Sequence, residues 1–219
     1  MDLPTFKNPK LLEQAFIHRS FLNETKDKLE SNERLEFLGD SVISFVVSQY
    51  LYNSYPEYKE GVLTNIRALM VNTGSLAQVA KELEFGKRLQ LSHGEEESKG
   101  RENESLLANC FEAFVGALYL DSGTEAVETF LKPVLLVKVE QIVTRKTFKD
   151  PKSLLQEKIQ AQKQKSPLYK VMEEVGPPHA RTFTVGVYID DTLIGKGHGT
   201  SKQKAQEEAA KHALENELK

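Results

Sequence analysis

Three carboxylates recur at helical spacing in the segment NERLEFLGDSVISFVV (residues 32–47), which is otherwise largely apolar. Glu33, Glu36 and Asp40 stand at positions i, i+3 and i+7, so on a helix they fall within roughly 60° of arc. Ionised carboxylates in a largely buried helix are costly unless they meet a cation. The strip therefore either faces water or holds a metal ion.

A second polar pair lies in the segment SLLANCFEAFVGALYL, where Asn109 and Glu112 are the only strongly polar residues within 106–120. A helix this apolar is not a surface helix, so both side chains need a polar partner. If the two segments pack together, Glu36, Asp40, Asn109 and Glu112 converge as oxygen ligands. Hard oxygen ligands without His or Cys suit Mg²⁺ or Mn²⁺ rather than Zn²⁺.

The elements that must position these residues are helices. Up to residue 142 the apolar periodicity is helical almost throughout, beginning with Asn8 as N-cap and Pro9 at the first helical position. The polar run SHGEEESKGREN (92–103) is predicted to be a solvated loop, followed by helices over about 104–120 and 124–142. We therefore expect an all-α domain over residues 1–142.

The pattern changes after the segment 143–149, which reads as a linker. Residues 150–219 show a helix that begins with Asp150 as N-cap, three segments of period-two alternation, and a last helix starting near Ser201. The order α-β-β-β-α predicts a small α+β domain with two helices on one face of an antiparallel sheet.

Composition limits the class of protein. The longest apolar run, AFVGALYL, is far too short to span a membrane, and the N-terminus lacks the pattern of a signal peptide. The single cysteine, Cys110, fits a reducing cytosol and is expected to lie in the core. We therefore expect a cytoplasmic protein without a membrane partner or an organic cofactor.

Charge is divided unevenly along the chain. The total is −3, but residues 1–149 hold 18 basic and 22 acidic residues, whereas residues 150–219 hold 11 basic and 10 acidic residues. Contact with a polyanion must therefore come from local basic patches, chiefly in the C-terminal part.

The segment NERLEFLGDS resembles the signature of ribonuclease III, the family of double-strand-specific endoribonucleases. The segments HRS (18–20), EG (60–61) followed by IRALMV, and LANCFEAFVGALYLD fit the same family in the same order, and residues 150–219 resemble a double-stranded-RNA-binding domain. The resemblance covers nearly the whole chain. It implies a homodimer that uses Mg²⁺, or Mn²⁺ as a substitute, to hydrolyse double-stranded RNA to 5′-phosphate and 3′-hydroxyl ends in ribosomal and messenger RNA maturation.

The resemblance also implies roles for individual residues. Glu36, Asp40 and Glu112 match the metal-binding carboxylates of the family. Glu33 and Glu60 match acids placed near the RNA backbone, which makes Glu33, Asp40, Glu60 and Glu112 the expected catalytic residues. Phe37 matches an aromatic residue used at the subunit interface; the alternative is an ordinary core phenylalanine.

One position departs from the family pattern. Where the family has Asp in LADxFEA, this chain has Asn109 in LANCFEA. Asn keeps one carbonyl oxygen as a metal ligand but lacks the negative charge, so we expect weaker metal affinity or a metal bound through water. An alternative function follows, a catalytically impaired dimeric protein that binds double-stranded RNA.

The RNA-binding residues implied by the resemblance lie on three elements. They are Gln156 and Glu157 on the first helix of the C-terminal domain, His179 in the loop GPPHA, and Lys202 and Lys204 at the start of the last helix. A-form RNA is recognised by shape, through 2′-hydroxyls and phosphates, which suits these positions. The usual SKKxA cluster reads SKQKA here, so Gln203 replaces one lysine.

Overall fold

The structure is a computed structural model that describes residues 3–145, 151–162, 165–177 and 180–216. The chain divides into two compact units, residues 1–148 and 149–219. Within the described residues, the helices of the first unit are α1 (Pro9–Ala15), α2 (Glu33–Ser54), α3 (Glu60–Met70), α4 (Thr73–Glu82), α5 (Phe85–Arg88), α6 (His93–Glu97), α7 (Glu104–Leu131) and α8 (Lys138–Arg145). The expected all-α fold of this unit is confirmed.

The core of the first unit forms around α2 and α7. The segment of α7 from Leu107 to Leu118 is buried except at its two polar residues, Asn109 and Glu112. Phe85 and Phe114 pack ring to ring with centroids 5.1 Å apart, and burying one such side chain contributes roughly 2–3 kcal/mol. Cys110 is fully buried in the same core, as expected.

Helix α1 begins as its sequence predicts. The side chain of Asn8 accepts a hydrogen bond from the backbone N–H of Lys10, and Pro9 occupies the first turn, where its missing N–H has no cost. A 3₁₀ turn over Arg19–Asn23 then leads towards α2.

Residues 92–103 are largely exposed, as predicted, but the prediction that they form a loop is wrong. Ser92 caps α6 by accepting a hydrogen bond from the N–H of Glu95, and a 3₁₀ turn follows over Gly100–Glu102. Arg101 donates to the carbonyl oxygens of Gly86 at 2.9 Å and Leu89 at 2.7 Å. The segment is therefore ordered by a side chain that satisfies carbonyls elsewhere in the chain.

Gly123 marks the boundary that was expected between two helices after residue 104. Its φ of +79° lies in the left-handed region that favours glycine, and it interrupts the helical backbone within α7. A π-helical turn over Lys132–Leu136 then leads to α8, which ends at Arg145 and so extends into the segment expected to be a linker.

The second unit contains α9 (Pro151–Ala161), β1 (Leu168–Val175), β2 (Thr182–Ile189), β3 (Thr192–Gly199) and α10 (Lys202–Asn216). The strands form one antiparallel sheet in the order β1-β2-β3, as the sequence predicted. Leu155, Ile159 and Val187 form its core with alanines of α10. Because a Cβ atom at Gly197 would overlap the backbone nitrogen of Ala209, this glycine allows α10 to lie directly on β3.

Candidate active site and RNA interface

The acidic site is built on a direct backbone contact between α2 and α7. A Cβ atom at Gly39 would overlap the carbonyl oxygen of Glu112, and one at Gly116 would overlap the carbonyl oxygen of Leu35. Two glycines, one on each helix, therefore remove the side-chain layer that normally separates packed helices. The polar residues next to this contact are brought within reach of one another across the two helices.

The carboxylates of α2 and α7 are close enough to influence one another electrostatically. Burial, together with the nearby charges of Asp40 and Glu36, raises the pKa of Glu112 to about 7. Burial also raises the pKa of Glu36, as does the charge of Glu33, while a hydrogen bond from the Asn109 side chain acts in the opposite direction. The structure thus brings together Glu36, Asp40, Asn109 and Glu112, the four residues that the sequence suggested as metal ligands.

The donor set of this cluster is suited to a hard divalent cation. Its groups are carboxylate and amide oxygens, and Glu112 is half-buried beside two other acids, so ionising all three is unfavourable unless a cation is present. Among the residues that the structure describes, no three His, Cys, Asp or Glu side chains are already arranged as a metal-binding group. A divalent cation held by these oxygen atoms would offset the repulsion between the carboxylates.

Glu33 lies at the edge of this cluster. It is the first residue of α2, accepts a hydrogen bond from Ser31 Oγ at 2.9 Å and pairs with Arg19 at 3.4 Å. Its charge reaches Glu36, one turn further along the helix. Glu33 is therefore exposed and adjacent to the cluster rather than buried within it.

Glu60 lies on a different element from the cluster. It begins α3, accepts a hydrogen bond from Thr64 Oγ1 at 3.1 Å, and lines a groove between α2 and α3 together with Phe45 and Arg67. The carboxylates that raise the pKa of Glu112 are Asp40 and Glu36, and Glu60 is not among them. Glu60 therefore lies at the start of α3, whereas the cluster is carried by α2 and α7.

An exposed aromatic strip runs along α2. Phe37 is 79% exposed, Phe45 58% and Tyr52 74%, so Phe37 is not a core residue of this chain. The strip borders the α2–α3 groove, which has a volume of about 680 Å³ and is lined by Tyr52 and further tyrosines. Sequence reasoning found Phe37 but missed Phe45 and Tyr52, although spacings of eight and seven residues keep all three within roughly 80° of arc.

In the second unit, the described candidates for RNA contact lie on exposed surfaces. Gln156 and Glu157 are exposed on α9, between the core residues Leu155 and Ile159. His179 lies outside the described residues.

The lysines at the start of α10 are held in place by their neighbours. The Lys202 ammonium lies 5.6 Å from the ring centroid of Phe183, and Ser201 Oγ caps the helix by accepting from the N–H of Lys204 at 3.2 Å. Gln203, the residue that departs from the lysine cluster, donates to Glu207 on the next turn at 3.0 Å. Lys202 and Lys204 therefore supply the positive charge at this helix end, and Gln203 is engaged within α10.

Comparison with known proteins identifies the class to which these features belong. A family model described as Ribonuclease-III-like matches residues 8–139, and one described as Double-stranded RNA binding motif matches residues 151–217. The two units are thus a nuclease domain followed by an RNA-binding domain.

Individual relatives give the same result over most of the chain. Ribonuclease 3 of Streptococcus gordonii is 46% identical over 97% of this chain and 91% of its own length, and that of Bacillus licheniformis is 47% identical over 95% and 84%. The solved nuclease domain of Campylobacter jejuni ribonuclease III is 38% identical, with a TM-score of 0.55 over 59% of this chain and 87% of its own. This chain belongs to the ribonuclease III family.

The functional prediction made from the sequence is therefore confirmed: the protein is a double-strand-specific endoribonuclease of the ribonuclease III type, and its activity depends on a divalent metal. The alternative of an impaired RNA-binding protein is not favoured. Within the described residues, no helix is both long and apolar enough to cross a membrane.

Proposed function

We propose that this chain cleaves double-stranded RNA with Mg²⁺, or Mn²⁺ as a substitute, held by oxygen atoms of Glu36, Asp40, Asn109 and Glu112. The single observation that supports this assignment best is the half-buried Glu112 carboxyl group beside the direct α2–α7 backbone contact, where the charges of Asp40 and Glu36 raise its pKa in addition to burial. When bound, the metal supplies an activated water and neutralises charge on the phosphate oxygens.

The protein residues have separate tasks in this proposal. Glu112 and Asp40 provide negative charge from opposite helices, and Asn109 holds Glu36 in place through their hydrogen bond. Glu33 lies at the exposed edge, where it orients the water or the scissile strand. Glu60 acts on the RNA backbone from the α2–α3 groove. The products are 5′-phosphate and 3′-hydroxyl ends.

The experiment that tests this proposal is cleavage of long double-stranded RNA by the full chain in Mg²⁺ or Mn²⁺. Asp40→Asn and Glu112→Gln should each lower kcat by more than about a hundredfold, since each removes charge from the metal site. Glu125→Gln, an exposed carboxylate on α7 beyond Gly123, is the matched control and should cleave like the parent. Equal losses in all three variants would contradict the assignment of the site.

We also propose that the chain forms a homodimer through the aromatic strip of Phe37, Phe45 and Tyr52. The solved Campylobacter jejuni nuclease domain is described as having a region involved in dimer formation. In this chain, exposed aromatic side chains of this size on one helix face are typical of an interface rather than of a solvated surface. Phe37→Asp should shift the sedimentation of the chain from dimer to monomer, whereas Leu193→Asp, an exposed apolar residue of the second unit, should not.

We further propose that the second unit binds the duplex through Gln156, Glu157, His179, Lys202 and Lys204. Exposed lysines at the start of α10 offer charge to phosphates, and the first turn of a helix favours anions. The enzyme would act in the cytoplasm on structured precursors of ribosomal and messenger RNA, since these transcripts supply double-stranded segments.

A further inference from the structure

The HRS triplet at residues 18–20 has so far entered the site only through the pair of Arg19 with Glu33. Its two outer residues are fixed by hydrogen bonds to a distant part of the chain. The backbone N–H of His18 donates to the carbonyl oxygen of Gln90 at 3.1 Å, and Ser20 Oγ accepts from the N–H of Ser92 at 3.0 Å. His18 Nδ1 and Ser20 Oγ are also 2.8 Å apart. The triplet is thus a rigid platform around its middle residue, Arg19.

Arg19 itself points away from that platform. Its side chain is 72% exposed, and its contact with the protein is a single nitrogen, Nη1, which lies 3.4 Å from Glu33 Oε1. A guanidinium group has five N–H donors, and in the described part of the chain the others have no protein acceptor. The geometry therefore fixes the backbone of Arg19 and leaves its donors available to a ligand.

The surroundings of Arg19 indicate the chemical class of that ligand. Glu33 stands one turn before Glu36 on α2, so Arg19 is beside the acidic cluster, and its positive charge favours the ionised form of Glu36. An RNA strand seated at the cluster brings phosphates past this point in a unit whose net charge is negative. Guanidinium groups match phosphate oxygens in charge and in geometry.

We propose that Arg19 is a phosphate-binding residue of the nuclease domain, whose guanidinium donates to the backbone phosphate of the RNA strand that lies across the start of α2. The proposal deepens the proposed function, because it assumes that the strand is seated at the Glu36–Asp40–Glu112 cluster. The competing role, a positioning residue that only holds Glu33, is disfavoured by the exposure and the length of the Arg19–Glu33 pair.

The test compares Arg19→Gln, Arg19→Lys and the matched control Arg34→Gln in the full chain. Arg34 is also exposed and is the next residue after Glu33, but on α2 it lies roughly 160° around the helix from Glu36. For each variant, KM and kcat are measured on a short RNA duplex at several salt concentrations in Mg²⁺. Mn²⁺ affinity is measured by calorimetry without RNA, and duplex Kd is measured in Ca²⁺.

Arg19→Gln should raise KM and duplex Kd by about tenfold and should reduce the slope of log Kd against log salt by about one, because one phosphate contact is lost. Mn²⁺ affinity should stay at the parental value, Arg19→Lys should keep the salt slope, and Arg34→Gln should behave as the parent does. An unchanged KM, Kd and slope in Arg19→Gln, or a loss confined to Mn²⁺ affinity, would overturn the proposal.

Failure of the wider function gives a different result. If the parent chain bound the duplex but cleaved it with neither metal, the proposed function would fall. The duplex Kd and its salt dependence would still report on Arg19, and a parental Kd in Arg19→Gln would overturn the phosphate contact separately.

Discussion

Asn109 on α7 and Glu36 on α2 are neighbours at the acidic cluster, where the Asn109 side-chain amide lowers the pKa of Glu36 against the effect of burial. The amide stabilises the ionised form of Glu36 where a carboxylate at position 109 would repel it. The cluster of this chain therefore carries one negative charge fewer than the aspartate-containing pattern of the family.

Asn109→Asp should make the site depend more strongly on metal. The added repulsion, about one kcal/mol or more, should lower the melting temperature of the metal-free chain by a few degrees. The added charge should also tighten Mn²⁺ binding by about tenfold. Thermal denaturation in chelator and calorimetric titration with Mn²⁺ measure the two effects. Asn103→Asp, at the N-cap of the same helix, is the control, because a carboxylate there can still cap α7. Weaker Mn²⁺ binding by Asn109→Asp would contradict this account.

The raised pKa of Glu112 makes the stability of the metal-free chain depend on pH. Between about pH 4.5 and 7 the folded chain holds a proton on Glu112 that the unfolded chain has released, so the free energy of unfolding should fall as pH rises through this window. Scans in chelator at about pH 5.5 and 8 should show this decline, with an effect of order 1–2 kcal/mol after discounting for solvent screening.

Glu112→Gln should flatten this dependence, because glutamine does not titrate, while Glu125→Gln should keep the parental slope. Added Mg²⁺ should raise the melting temperature of the parent more at about pH 8 than at 5.5, since the ionised form binds the cation. If the Glu112→Gln variant kept the parental pH profile, Glu112 would be ruled out as the group that causes the decline in stability.

The glycine contact between α2 and α7 can be tested by adding one methyl group. Gly39→Ala should destabilise the nuclease domain by about 2–4 kcal/mol, because the new Cβ overlaps the carbonyl oxygen of Glu112 and the helices must separate. Gly94→Ala on α6 is the control, since a Cβ there meets no atom within 4 Å. Chemical denaturation measures both variants, and equal midpoints would show that the backbones do not touch as described.

The lysines at the start of α10 should contribute through charge alone. Lys202→Gln with Lys204→Gln should weaken duplex binding by about tenfold or more and should lower the salt slope by about two. Lys211→Gln removes one charge from an exposed position later in α10 and should change the affinity less than Lys202→Gln or Lys204→Gln alone. Filter binding of the full chain over a range of salt concentrations separates these outcomes, and a larger effect of Lys211→Gln would shift the interface along the helix.

Much of the fold and part of the site could be predicted from the sequence because both depend on local periodicity. The order of helices and strands follows from apolar spacing, and the line of Glu36 and Asp40 follows from 3.6 residues per turn. Asn109 and Glu112 were identifiable because polar residues in an apolar helix need partners.

The features that the sequence did not predict have a common physical cause, because each depends on residues that are distant in the chain. Helix α6 is only five residues long, and its segment is ordered by the contacts of Arg101 with distant carbonyls, which no local pattern encodes. The catalytic role expected of Glu60 stays a prediction, because the packing of α3 against α2, which sets its location, is not encoded in spacing along the chain. The role of Arg19 was hidden because HRS shows neither helical nor strand periodicity.

Because α2 and α7 touch directly at Gly39 and Gly116, main-chain atoms set the distance between the acidic residues of α2 and those of α7. Changes of neighbouring core side chains such as Leu35 or Val42 would then alter how firmly the helices are held, while leaving the spacing of the carboxylates almost constant. Core substitutions can therefore accumulate without moving the carboxylates. At Gly39 or Gly116, in contrast, one added carbon would change the helix spacing and with it the acidic cluster.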